Sequence, residues 1–140
     1  MKRFLYTLGQ LTWGLPQTLA GFFVFLLNIR CAHYVRRGAV VTEWRLSSGL
    51  SLGLFVFVGA ELNDRQKPCI FAHEYGHTIQ SLILGSLYLF AVGLPSVIWA
   101  GLPCFVRLRS ERGIPYSRLY CESWADRLGN AEQRKSSQEV

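Results

Sequence analysis

The stretch HEYGHTIQSLILGSLYLFAVGLPSVIWAGLPCFV, His73 to Val106, sets the reading of the whole chain. It opens on two histidines four residues apart. From Thr78 to its end it then runs through 29 residues without Asp, Glu, Lys or Arg. A second uncharged run, Phe4 to Ile29, covers 26 residues. About 20 mostly apolar residues cross a bilayer as a helix, so both runs are long enough. Composition agrees: 50% of the 140 residues are hydrophobic and the mean hydropathy is +0.19. Charged residues make up 17%, against roughly 25% in an average soluble domain. These values argue against a disordered chain and predict an integral membrane protein.

The net charge of +6 does not point to nucleic acid, because no basic face interleaved with aromatic residues accompanies it. The arginines flank the apolar runs instead, Arg107, Arg109 and Arg112 most clearly, as expected of residues held against anionic lipid headgroups. The bilayer is therefore the first expected partner. Cys31, Cys69, Cys104 and Cys121 are widely spaced and form no CxxC pair, which favours free thiols in a reducing compartment. Met1-Lys2-Arg3 before the first run reads as an uncleaved anchor, since no small residues mark a cleavage position near Asn28.

One domain, residues 1–130, is expected, mainly α-helical, followed by a polar tail over 131–140. Residues 4–29 form a membrane helix, or two half-helices broken at Gly14-Leu15-Pro16. Residues 38–60 carry the only β signature. There Leu52, Leu54, Val56 and Val58 recur at period two, and Leu46-Ser47-Ser48-Gly49 provides turn chemistry, so a β-hairpin is predicted. Pro68 opens a helix through His73 and His77 to about Phe90. The Gly93-Leu94-Pro95 break then bends the 68–106 segment into a second arm from Ser96. A short helix over 115–128 begins at Pro115 and closes at Gly129-Asn130.

His73-Glu74-Tyr75-Gly76-His77 is an HExxH sequence within a predicted helix. Histidines four apart project from one face and both reach one metal ion at about 2.0–2.1 Å. Glu74, one step round, is placed to take a proton from water activated by that metal. Burying two imidazoles and a carboxylate without partners in an apolar helix is costly, and a zinc ion removes that cost. Zinc has no redox chemistry, so hydrolysis is the expected reaction, with Glu74 passing the proton to the leaving amine. A third protein ligand is needed. Glu122 stands out among the nine acidic residues, in Cys121-Glu122-Ser123-Trp124-Ala125-Asp126. Asp126 shares its helix face and is placed to accept a hydrogen bond from a ligand histidine. Tyr116, Arg118 and Tyr120 are candidates for oxyanion or substrate contacts, against a plainer role as interfacial anchors.

HExxH followed by ExxAD, here His73 to His77 and Glu122 to Asp126, resembles the integral-membrane gluzincins of the CAAX prenyl protease and HtpX type. The resemblance implies one Zn2+ ion held by His73, His77 and Glu122, a supporting aspartate at Asp126, and a peptide or membrane-protein substrate. The longer stretch His73 to Ser81, with Gly93-Leu94-Pro95-Ser96 and Trp124-Ala125-Asp126, is also similar to a group of short bacterial membrane proteins of unassigned function. This chain is much shorter than the proteases and has fewer apolar segments.

Closing the ion constrains the path of the chain. If Thr78 to Val106 crossed the bilayer once, Glu122 would emerge opposite His73, so the stretch must turn back as a re-entrant hairpin. With one crossing by the first block, thirteen of the fifteen Lys and Arg lie on the catalytic side. The positive-inside rule then puts that side in the cytoplasm, at a bacterial inner membrane. An exposed strand beside the HExxH helix is also suited to adding an extended peptide as a further strand. The leading expectation is a membrane-embedded zinc metallopeptidase. The alternatives are a zinc-stabilised, non-catalytic membrane scaffold and a metal-free helical protein in which the motif is accidental.

Overall fold

The computed structural model describes residues 3–138. Helices α1 (Arg3–Thr12) and α2 (Leu15–Leu27) precede four strands, β1 (Ala32–Arg36), β2 (Ala39–Trp44), β3 (Leu50–Leu52) and β4 (Phe55–Gly59). The HExxH helix α3 (Gln66–Leu84) leads through a 3-10 turn and a π turn to α4 (Leu94–Gly101) and α5 (Pro103–Arg112). A 3-10 turn at Tyr116–Arg118 and helix α6 (Tyr120–Gln138) complete the chain. The fold is mostly helical with one small mixed sheet. Among the described residues no single helix is long and apolar enough to cross a membrane. Two bent pairs, α1 with α2 and Leu89–Gly101 with α5, are so by length and composition.

The 4–29 run is the broken alternative. α1 and α2 meet at 96°. Pro16 lies in the first turn of α2, where a missing N–H costs nothing. A polar cluster fills the break: Gln10 Nε2 donates to the Thr78 carbonyl (2.9 Å), Ser81 Oγ to Gln10 Oε1 (2.9 Å), and Gln17 Nε2 to Ser81 Oγ (2.7 Å). A Cβ at Gly14 would collide with Gln10 Oε1, so the glycine makes room for the cluster.

The predicted 38–60 hairpin is corrected to a four-stranded sheet of order β1-β2-β4-β3. Gly53, at φ +60°, breaks the period-two run into β3 and β4, and this second hairpin swings β4 parallel to β2, with Val41 opposite Val56. β4 is buried on both faces. Val56 and Val58 join Tyr6, Val41, Phe71 and Tyr75 in one core, while Phe55 and Phe57 pack with Trp44 in another. A central strand covered on both sides carries apolar residues throughout, so the alternation was not the mark of a two-stranded ribbon. β1 carries no strand signal in the sequence because Ala32-His33-Tyr34-Val35-Arg36 is an exposed edge of mixed polarity.

The bend expected at Gly93-Leu94-Pro95 is also displaced. α3 ends at Gly85, whose φ of +57° suits only glycine. Pro95 sits in the first turn of α4 and starts that helix instead of turning the chain. The sharp turn, 69°, falls at Leu102, which is extended as the residue before Pro103 must be. The second predicted arm, Ser96 to Val106, is thus parts of two helices.

The last helix begins at Tyr120, not Pro115, and continues through Gly129-Asn130 to Gln138. Gly129 is not a cap. A Cβ there would overlap the Ala72 carbonyl, and one at Gly76 would overlap the Ala125 carbonyl. These glycines let α3 and α6 cross backbone to backbone. The predicted polar tail is therefore helical over 131–138, and residues 139 and 140 lie outside the described residues.

Candidate metal centre

That close crossing brings the N-terminal part of α6 over the middle of α3. His73 and His77 lie one turn apart, with ring centroids separated by 4.8 Å. Glu122, in the first turn of α6 and fully buried, directs Oε2 at both. It lies 3.0 Å from His73 Nε2 and 3.3 Å from His77 Nε2. One ligand atom from each of the three residues falls within 4.8 Å of the others. Ligand atoms around a tetrahedral ion at about 2.0–2.1 Å are about 3.3 Å apart, and the two nitrogen–oxygen spacings are close to that value.

The outer nitrogens decide the protonation. His73 Nδ1 is 2.7 Å from Asp126 Oδ1, an acceptor when ionised, so this nitrogen donates. His77 Nδ1 is 2.7 Å from Gln80 Oε1. The Gln80 amide is oriented by its own Nε2, which donates to the Cys121 carbonyl at 2.8 Å, leaving the oxygen to accept from His77. With both Nδ1 protonated, neutral imidazoles carry lone pairs at Nε2, and both face a carboxylate oxygen. Three acceptors converge, and only a cation, a proton or a metal, satisfies them.

Without a metal, protons take that place. Burial disfavours a charged His73, but Glu122, Glu74 and Asp126 outweigh it and raise its pKa to about 9. Burial acts likewise on His77, and Glu122 and Glu74 again raise it. Burial also opposes ionisation of Glu122, yet the two imidazoles hold its carboxyl far below the ordinary range. Glu74 is buried. Burial lifts its carboxyl above the usual value, against the pull of His77 and His73. Its Oε1 rests on the Gly49 backbone so closely that a Cβ there would collide with it.

A cleft of about 920 Å³ opens over the site, between Ser48–Leu52 on one side and α4 on the other. His73, Glu74, His77 and Asp126 line it. Tyr116 also lines it, its ring 6.4 Å from that of His73 and its hydroxyl 3.4 Å from Ser96 Oγ. Arg118 and Tyr120 do not line it: Arg118 is exposed, and Tyr120 donates to the Ala91 carbonyl. The structure thus gathers His73, Glu74, His77, Glu122, Asp126 and Tyr116 and leaves the other two outside. Sequence reasoning assigned no role to Gln80. Its signal was a long polar side chain at i+3 from His77 within an apolar run. Gly49 carries only turn chemistry in the sequence. Compared with protein-family models, curated proteins and solved structures, the chain matches none.

Proposed function

We propose that this chain is a zinc-dependent hydrolase, a minimal metallopeptidase working at a membrane surface. The observation that carries the reading is the convergence of two Nε2 lone pairs and one carboxylate oxygen while both Nδ1 atoms are committed elsewhere. His73, His77 and Glu122 would hold the ion, which supplies a Lewis acid that makes water nucleophilic near neutral pH and polarises a carbonyl. Asp126 and Gln80 fix the tautomer and aim of the two imidazoles. Glu74, facing the cleft, accepts the proton of the attacking water and delivers it to the leaving amine. The raised affinity of its buried carboxylate for a proton suits that exchange. Tyr116 offers a hydroxyl from the opposite wall to the oxyanion that develops.

The cleft favours an extended polypeptide. Its wall includes β3, an edge strand of the sheet, and a peptide laid there gains main-chain hydrogen bonds. Leu94 and Val97, both exposed apolar residues of α4, face it from the other side. Membrane location is supported by the surface. Twenty-five large apolar side chains are exposed among the described residues, twelve of them in 4–29 and eight in 78–106. Large exposed apolar patches on a monomer mark interaction or membrane surfaces, and twenty of these side chains fall in the two uncharged runs.

The test is metal content and hydrolysis on the same preparation. Purified protein is expected to carry one zinc per chain, and His77→Ala to carry none. Glu74→Gln should keep the zinc and lose cleavage of apolar peptides. Zinc without any cleavage that depends on Glu74 would leave the scaffold reading standing; absence of zinc would end both.

A further inference from the structure

Both apolar runs are long enough to cross a bilayer, yet each starts and finishes on one side of the fold. Arg3, where the first run begins, has its carbonyl against Gly38, in the turn between β1 and β2. The run ends by entering β1 at Ala32, which pairs with Glu43, and Glu43 is bound by Lys67 in the first turn of α3 (2.8 Å). The two ends are therefore separated by little more than the five residues of β1, about 17 Å at 3.4 Å per residue. A hydrocarbon core is about 30 Å thick. Nor does either arm reach across: α1, at 10 residues, is about 15 Å long and α2, at 13, about 20 Å.

The second run closes more tightly. It leaves after His77 and returns at Arg107 to Arg112. The Arg109 guanidinium lies 5.2 Å from the Tyr116 ring, which is itself 6.4 Å from His73. Between these points the chain is tied back by Trp99 Nε1 donating to the Tyr116 carbonyl (2.9 Å) and by Tyr120 donating to the Ala91 carbonyl. Arginines collect where both excursions return, Arg3 and Arg36 at one, Arg107, Arg109 and Arg112 at the other. Positive charge at these two places complements anionic headgroups.

We propose that the chain is monotopic: both apolar blocks enter and leave a single leaflet from the same face, and the His73–His77–Glu122 site lies at that face. The occupant of the exposed apolar surface is that leaflet. The proposal rests on the membrane seat argued above and is independent of whether the site hydrolyses anything. The bond presented to Glu74 is then one at the lipid surface, not at the bilayer centre.

Full-length protein in native membranes tests this. Alkaline carbonate washing should leave it in the membrane fraction. In a chain carrying Cys31→Ser, Cys69→Ser and Cys104→Ser, one of Arg3→Cys, Arg30→Cys or Arg112→Cys is added. Each is then treated with a membrane-impermeant maleimide in sealed inside-out and right-side-out vesicles. All three are expected to label in the same vesicle orientation and to be protected in the other. Labelling of Arg3→Cys and Arg30→Cys from opposite faces would overturn the proposal, as would the same split between Arg30→Cys and Arg112→Cys. Release by carbonate would also overturn it, along with the membrane seat, while leaving bound zinc as separate support for the metal site.

Discussion

Helix α3 buries a polar cluster on each of two faces, and the two are built differently. Towards α1 and α2, Gln10, Gln17, Thr78 and Ser81 are neutral, and their donors meet acceptors in a chain of bonds of 2.7–2.9 Å. Gln17 also donates to the Gly85 carbonyl at 3.0 Å, and a single oxygen, Gln17 Oε1, is left over. Towards α6, His73, His77 and Glu122 present three acceptors to one another while both imidazoles are neutral, so that a proton or a metal ion must be added before they are satisfied. Polar burial by itself marks only a glue between helices. An excess of inward-facing acceptors is the feature on which the proposed zinc site rests, and it is what the first cluster lacks.

The largest effect is expected where α3 and α6 cross. Gly76→Val places a side chain on the Ala125 carbonyl and should cost roughly 3–5 kcal/mol, read by denaturant unfolding, with zinc lost as well. The next effect should be one-sided. Glu122→Ala removes the ligand that both imidazoles face, so zinc affinity should fall by more than the 10–100-fold typical of losing a supporting partner. Gln17→Leu on the other face should leave zinc affinity unchanged and cost about 1–3 kcal/mol of stability. If both variants lowered zinc affinity alike, the distinction between the clusters would fail. Smaller again, Gln80→Leu and Asp126→Asn should each weaken zinc within that 10–100-fold range, measured by competition with a chelating dye.

The subtlest expected effect is pH dependence. His73 in the metal-free protein keeps its proton up to about 9, so zinc must displace it at any lower pH. Affinity should therefore rise with pH and flatten above about 9, by at most tenfold per unit for that proton. Stability of the metal-free chain runs the other way. The folded pKa of His73 lies above its ordinary 6.5, so its contribution is complete below 6.5 and is lost as pH climbs through 9. Thermal unfolding with and without zinc across this window should show the two trends crossing.

The site was more legible in the sequence than its scaffold. The HExxH spacing and the Glu122–Asp126 pair restrict residue type and spacing together, so the convergence of these side chains could be read without coordinates. The sheet could not, because a run such as Leu52 to Val58 has the same alternation whether its partner lies parallel or antiparallel, and only Gly53 held the clue to the break. Proline was legible as punctuation but not in its sense: Pro16, Pro95 and Pro103 each begin a helix. Gly129 has the composition of a helix end and serves as a crossing point, which depends on Ala72, more than fifty positions earlier. Gln80 was hidden for a similar reason, since its second bond goes to Cys121 on another helix.

Glu74, the proposed base, is packed against the main chain at Gly49. Because Glu74 rests against Gly49, its seat involves no neighbouring atom that trimming could remove there. A conventional scan that shortens side chains would pass over this position, since replacing glycine by alanine is an enlargement. One added methyl group would force the Glu74 carboxylate to shift, and none of the three proposed ligand atoms is among those it would meet. The vulnerability of this wall thus lies in growth, and variants that gain bulk at Gly49 should be silent towards zinc yet inactive.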